Sequence, residues 1–248
     1  MNEPVLTPLQ GAWLAFLWLL WAGLLFGGLA FGEPDAARER RMPAWTRLGS
    51  SAALVVAGWS WICISRGSGA EKYALLIAVG MTLGLVGDLC MARLMPLSQP
   101  VLGGMAAFGL GHMAYIAAAL MLAIQSGLTS PGPLYGAWLG WLAIGVAGWY
   151  FVVWRGQKPG TLHWAALPYA LLLASTAGAA TGLAVQAATF LPFAVGGALF
   201  LVSDLILASR LFSGRRFPWI DDVVWLTYGP GQMLIVYSIG AVRWLWPR

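Results

Sequence analysis

The sequence predicts an all-α integral membrane protein whose eight transmembrane helices form two parallel four-helix repeats. Of its 248 residues 60% are hydrophobic and only 9% are charged, whereas soluble domains carry about 25% charged residues. Its fifteen Trp and seven Tyr suit the aromatic belts at the two membrane surfaces, and its 32 Gly suit close helix contacts. The net charge of +5 is explained by membrane topology. We therefore expect no nucleic-acid partner.

The apolar runs divide the chain into eight spans joined by short loops, at about 20 residues per crossing. No segment is long enough for a soluble domain, so residues 1–248 are expected to form a single integral membrane domain. The predicted spans are residues 11–31, 48–65, 73–92, 101–125, 134–154, 163–185, 189–211 and 223–246.

The Lys and Arg residues predict the orientation of the chain. Ten of the 14 lie in the odd-numbered loops and four lie on the other side. Because cytoplasmic loops carry the excess of positive charge, the odd-numbered loops are expected in the cytoplasm and both termini outside it. We expect a multi-pass protein of the cell (inner) membrane, and the sequence leaves its oligomeric state open.

An internal repeat relates the two halves of the chain. Residues 86–94 (VGDLCMARL) align with 202–211 (VSDLILASRL) given one inserted residue, and 108–113 (FGLGHM) align with 228–233 (YGPGQM). Two matches in the same order indicate a tandem duplication of a four-helix unit, and an even number of helices makes the halves parallel. The predicted repeats are residues 1–125 and 126–248.

The repeat makes partners of Asp88 and Asp204, two carboxylates inside apolar spans. Arg93 follows Asp88 by five residues and Arg210 follows Asp204 by six, whereas helical neighbours are three or four apart. We therefore expect the arginines to anchor helix ends and leave the carboxylates without a local cation. Two like charges in a low dielectric favour one protonated and one ionised carboxyl, the arrangement that acid and base catalysis uses. A helix-packing hydrogen bond is the competing interpretation.

Other polar residues fall in the same half of the membrane. The alignment pairs His112 with Gln232, and at about 1.5 Å per residue both lie in the cytoplasmic half with the aspartates. Tyr115 shares the helical face of His112 and could orient it. We predict that His112, Gln232, Tyr115 and Tyr228 position substrate or water, with interhelical packing as the alternative for His112 and Gln232.

Metal ions and cofactors are not expected. Hydrolytic zinc usually has three His or acidic ligands, and the chain has only two His. A triad of His112 with both aspartates is the one arrangement that could be drawn, and we do not favour it.

Asp221 and Asp222 precede the last span and are expected to cap it.

At these residues the chain resembles the YhhN-type lysoplasmalogenase family of eight-span membrane proteins. The resemblance covers nearly the whole chain. Each matching motif is short and weak alone, but together the motifs are specific for the family. They are Gly87-Asp88, Gly111-His112 with Tyr115, the run GALFLVSDL at 197–205, and Gly231-Gln232.

The resemblance implies hydrolysis of the vinyl ether bond of a lysoplasmalogen, which yields a fatty aldehyde and a glycerophospho-alcohol. A lysophospholipid substrate and membrane lipids would then be the partners. Vinyl ether cleavage needs a proton donor and a carboxylate but no cofactor. Asp88 and Asp204 would be the catalytic pair, in an order left open.

Two other classes of function compete with this one. Parallel repeats with acidic residues in the membrane are also typical of a proton-coupled transporter, and a helix broken at Pro230 would favour that class. A lipid-binding or structural protein without turnover is the third interpretation.

Overall fold

The chain folds into eight long helices, as described by a computed structural model for residues 6–243. Each predicted span coincides with one helix, and only the end of the eighth span lies outside the described residues. Within the described range there is no strand. The helices are α1 (Pro8–Phe31), α2 (Ala44–Ser65), α3 (Glu71–Met91), α4 (Pro100–Gln125), α5 (Pro131–Gly148, continued as a π-helix Trp149–Trp154), α6 (Thr161–Gln186), α7 (Leu191–Ser213, after a 3-10 turn Ala188–Phe190) and α8 (Ile220–Val242).

Among the described residues, seven helices are long and apolar enough to cross a membrane, and these are α1 to α7. The eighth, α8, has the length, but Tyr228, Gln232 and Ser238 lower its hydropathy. Those three side chains are buried inside the protein, where they face other helices and not lipid. The chain is thus a multi-pass membrane protein, and none of the described residues of α8 is exposed.

Most helices adjacent in sequence pack against each other, but α4 packs on α6 and not closely on α5, and α2 packs on α8. The two halves show matching close contacts. A Cβ added to Gly111 would lie 3.0 Å from the carbonyl oxygen of Gly80, and one added to Gly231 would lie 2.9 Å from that of Gly196. The repeat alignment relates these pairs to each other. They are contacts that a parallel duplication would produce, and the duplication itself stays a prediction.

Replacing Gly196 by Ala is expected to destabilise the protein, because the new Cβ would lie 2.6 Å from the carbonyl oxygen of Gly231. Neither backbone can move without separating α7 from α8, so we expect a loss of about 2 kcal/mol of unfolding free energy. Unfolding in detergent measures it. Gly136→Ala on α5 is the control, since its Cβ would meet no atom within 4 Å. Equal stability of the two variants would contradict the tight contact.

The helix break that would favour a transporter is not observed. The described part of α8 is continuous from Ile220 to Val242, and Pro230 lies inside it. Pro168 is likewise inside α6. Neither proline opens the backbone near the middle of the membrane.

The loop between α1 and α2, residues 32–43, packs on the start of α8. The Asp222 carboxylate accepts the backbone N–H of Arg41 at 2.7 Å and of Met42 at 3.1 Å. The prediction that Asp222 caps α8 is wrong: the N-cap residue is Trp219, with no side-chain capping hydrogen bond. The Asp222 carboxylate oxygens accept from the loop N–H groups and not from the free N–H groups of the first turn of α8.

Asp221 also has a partner other than its own helix end. Its carboxylate lies 2.7 Å from the Arg210 guanidinium, so the capping prediction is wrong for this residue too. Glu39 of the loop lies 3.7 Å from Arg210 and 3.0 Å from Arg216. These ion pairs, with the bonds of Asp222, connect loop 32–43 to α7 and α8.

Candidate active site

Asp88 lies in the last turn of α3, where it is only 5% exposed. Its Oδ2 accepts a hydrogen bond from the Ser51 hydroxyl on α2 at 2.6 Å and one from the Tyr228 hydroxyl on α8 at 3.1 Å. A buried carboxylate needs such donors to offset its lost hydration. Three helices therefore determine the orientation of this carboxyl group.

A chain of hydrogen bonds leads from Asp88 into the core. The Tyr228 hydroxyl that donates to Asp88 accepts a bond from Gln232 Nε2 at 3.3 Å. Gln232 Oε1 in turn accepts from the Tyr115 hydroxyl on α4 at 2.9 Å. Tyr115 and Gln232 are each 1% exposed. The structure thus connects three of the four predicted positioning residues to Asp88.

Asp204 lies on α7 and has different partners. Its Oδ2 accepts a hydrogen bond from the Tyr169 hydroxyl on α6, and its Oδ1 accepts one from the Ser203 hydroxyl at 3.3 Å. Each aspartate thus receives one phenolic hydroxyl, from Tyr228 on α8 or from Tyr169 on α6. The side chain of Asp204 is less buried than that of Asp88.

Replacing Tyr169 by Phe is expected to lower kcat for a reaction at Asp204 about tenfold, because the carboxyl loses the hydroxyl that orients it. Substrate binding should change little, so KM should stay near its original value. Tyr150→Phe is the matched control, since Tyr150 is exposed on the π-helical turn. Steady-state kinetics of both variants measures the difference, and equal kcat values would remove Tyr169 from the site.

One cavity of about 330 Å³ brings the two aspartates together at the end of the bundle that carries the odd-numbered loops. Asp88 and Asp204 both line it, and so do Phe108 on α4 and Tyr228 on α8. Its remaining polar lining comes from the loop and from helix ends, namely Arg40, Arg47, Arg93, Arg210 and Asp221. We call this space the polar cavity.

A second, apolar pocket of about 70 Å³ adjoins the polar cavity between α4, α6 and α7. Its walls include Met105, Ala166 and Leu173, and it reaches Trp149 at the π-helical turn. Asp204 lines both spaces, whereas Asp88 lines only the polar cavity. Asp204 therefore lies at the junction of a polar and an apolar compartment.

His112 is buried, and it is not among the residues that line either space. Its Nδ1 lies 2.9 Å from the Thr176 hydroxyl on α6, and its ring meets that of Phe200 at 4.3 Å between centroids. Its Nε2 has no hydrogen-bond partner among the described residues. The structure places His112 in the helix packing beside Tyr115, and its predicted role in positioning stays a prediction.

Sequence reasoning did not identify Ser51, Tyr169 or Arg47 as residues of the site. Hydroxyl residues are common in membrane helices, and only their contact with a carboxylate distinguishes Ser51 and Tyr169. The repeat contained a signal for Tyr169. Because α6 corresponds to α2 in the predicted repeat, the donor that α2 supplies to Asp88 predicts a donor on α6 for Asp204. Arg47 was counted only among the positive charges that predict the orientation of the chain.

Within residues 6–243, no group of three or more His, Cys, Asp or Glu side chains is arranged to hold a metal ion. The triad of His112 with both aspartates is thus not assembled in this part of the chain.

Comparison with known families identifies the chain. The model of the YhhN family matches residues 46–239. The chain belongs to the YhhN family. The matched range includes both aspartates and their hydroxyl donors, whereas α1 and Arg40 lie outside it. No curated protein and no solved structure matches this YhhN-family chain.

Proposed function

We propose that this protein is a membrane hydrolase that cleaves the vinyl ether bond of lysoplasmalogens with Asp88 and Asp204 as its acid and base. The observation that carries the proposal is the shared cavity, which is lined by the buried carboxylate of Asp88 on α3 and the half-buried carboxylate of Asp204 on α7. A pair of carboxyl groups in a low dielectric can hold one proton between them, which supplies a donor and an acceptor at neutral pH.

The two adjoining compartments suit a lipid with a single chain. The apolar pocket would take the first carbons of the chain, and the polar cavity would take the glycerol and its headgroup. The bond to be cleaved then lies at the junction, next to Asp204. A lipid with its head at the membrane surface reaches this depth without leaving its leaflet, and the proposed orientation places the cavity at the cytoplasmic surface of the cell membrane.

The reaction needs one proton delivered and one removed. Protonation of the alkenyl carbon attached to the chain converts the vinyl ether to an oxocarbenium ion. Water then adds to the carbon bound to oxygen while a carboxylate takes its proton. The resulting hemiacetal collapses to the fatty aldehyde and the free glycerol hydroxyl, and the proton returns to the pair. A water molecule is the sole co-reactant.

The position of Asp204 favours it as the acid. The carbon that receives the proton is on the chain side of the vinyl ether, and Asp204 is the member of the pair that also lines the apolar pocket. Asp88 lines only the polar cavity, from which water enters. Each aspartate accepts hydrogen bonds from two hydroxyls, so the assignment of acid and base rests on the different spaces that the two aspartates line.

Detergent-solubilised protein tests the proposal. Transport needs two separated compartments, which detergent removes, whereas hydrolysis needs none. Purified protein in a neutral detergent should release aldehyde from a lysoplasmalogen. When the reaction is run in D₂O and the aldehyde is trapped by reduction, one solvent deuterium should appear on the carbon next to the carbonyl. Absence of aldehyde release would reject the hydrolase, and aldehyde without that deuterium would reject protonation at carbon.

A further inference from the structure

The polar cavity carries more positive charge than its aspartate pair requires. Four arginines line it, and one of them, Arg210, is paired with Asp221. Among the described residues, the ion pairs include none with Arg40, Arg47 or Arg93. Three arginines therefore face two aspartates, of which the proposed mechanism keeps one protonated. The excess of positive charge favours an anionic ligand.

Arg47 has a donor that the protein does not use. It lies in the first turn of α2, and its guanidinium carbon is 5.4 Å from the centre of the Trp225 ring. Its Nε is buried and has no hydrogen-bond partner among the described residues. Buried donors are usually satisfied, and a guanidinium matches the oxygens of a phosphate.

The start of α2 provides a second favourable element beside Arg47. Its N-cap residue is Pro43, and no side chain caps the first turn. Ala44, the first residue of the helix, lines the polar cavity. The free N–H groups and the dipole of a helix N-terminus favour an anion, so the helix adds to the attraction of the arginines.

Arg93 occupies a backbone position that favours glycine. Its φ is 58°, in the left-handed region, directly after the end of α3. A residue with a Cβ is disfavoured there, yet the side chain of Arg93 lines the polar cavity. The position thus keeps a cation at the cavity at the expense of local stability.

We propose that Arg40, Arg47 and Arg93, with the first turn of α2, form a site for the phosphodiester of a single-chain lipid. The inference rests on the proposed function, since the same ligand would place its ether at the aspartate pair. Among the described residues that line the polar cavity, Asp221 is the only carboxylate outside the catalytic pair, and it is paired with Arg210. The protein therefore recognises the phosphate and accepts ethanolamine and choline heads alike.

The test uses ligands that the protein cannot hydrolyse. A saturated 1-O-alkyl lysophosphocholine, its ethanolamine counterpart and a 1-O-alkylglycerol of the same chain length are titrated calorimetrically into the full-length protein in a neutral detergent. We expect both phospholipids to bind about tenfold tighter than the alkylglycerol, as a charge-assisted phosphate contact implies. Equal affinity for the alkylglycerol would overturn the proposal.

Variants assign the preference to particular residues. Arg47→Gln should abolish the preference for the phospholipids, and Arg40→Gln on the loop should weaken it in a protein with α2 unchanged. Arg93→Gly should weaken it while raising the melting temperature, a combination that a purely structural arginine would not give. Arg155→Gln, an exposed position away from both spaces, should leave the preference unchanged. Retention of the full preference in all three cavity variants would overturn the site.

Two further outcomes separate related possibilities. Inorganic phosphate should compete only weakly with the lipid; if it binds as tightly as the lipid does, the site belongs to a soluble phosphate and the proposal fails. Because the ligands are not hydrolysed, binding is independent of turnover. A phosphate preference in a protein that releases no aldehyde would support this site and reject the proposed reaction.

Discussion

Asp88→Asn and Asp204→Asn are each expected to lower kcat for aldehyde release about 10³-fold, the scale of a lost acid or base. Asparagine keeps the size of the side chain and can still accept from Ser51 or from Tyr169, so the fold should be retained. Aldehyde release by each purified variant measures the loss, and melting in detergent verifies folding.

The double variant makes the test specific to a pair. If the two carboxyls share one proton, removing both should cost little more than removing one, because groups that act as a unit are not additive. Glu33→Gln is the control, since Glu33 is exposed on loop 32–43 and does not line the cavity. Near-normal kcat in both single variants, with the fold intact, would show that the pair does not catalyse the reaction.

Asp222→Ala is expected to destabilise the protein by about 3 kcal/mol, because it leaves two backbone N–H groups of loop 32–43 without their charged acceptor. Those groups belong to Arg41 and Met42, and both Met42 and Asp222 are almost completely buried. The variant should also raise KM, since the same loop carries Arg40 into the polar cavity. Unfolding in detergent gives the first effect and substrate titration gives the second.

Asp221→Ala is the matched comparison for stability. Its carboxylate pairs with an Arg210 side chain that is 27% exposed, and a partly exposed ion pair contributes at most about 1 kcal/mol. The adjacent positions should therefore differ by at least twofold in their effect on unfolding. Similar losses would show that Asp222 acts through its charge alone and not through the loop amides.

Much of the fold could be predicted because the membrane limits the options. Each apolar run must satisfy its backbone hydrogen bonds internally, so it becomes a helix, and the lengths of the runs located the helices to within a few residues. The last helix, α8, was still identified from the mostly apolar run at 223–246, although its polar residues lower its hydropathy. Loop 32–43 was not predicted, since the partner of Asp222 is 180 residues away in the chain.

The candidate site was predicted in part, for a different reason. A carboxylate in an apolar span is costly enough to be conspicuous, and the repeat alignment pairs Asp88 with Asp204. The hydroxyls of Ser51 and Tyr169 were not conspicuous, because such residues also occur in helix packing. Which of them meets an aspartate depends on how each helix is rotated.

By itself, the sequence determined the family and the helices and predicted the two aspartates as a candidate pair, since these follow from local hydropathy, from the cost of charge in a low dielectric and from a repeated motif. Only the tertiary structure decided that Asp204 lies between an apolar pocket and a polar cavity, that Arg47 keeps an unused donor and that His112 lies outside both spaces. Those features depend on the rotation and crossing of helices distant in sequence, and local patterns do not encode them.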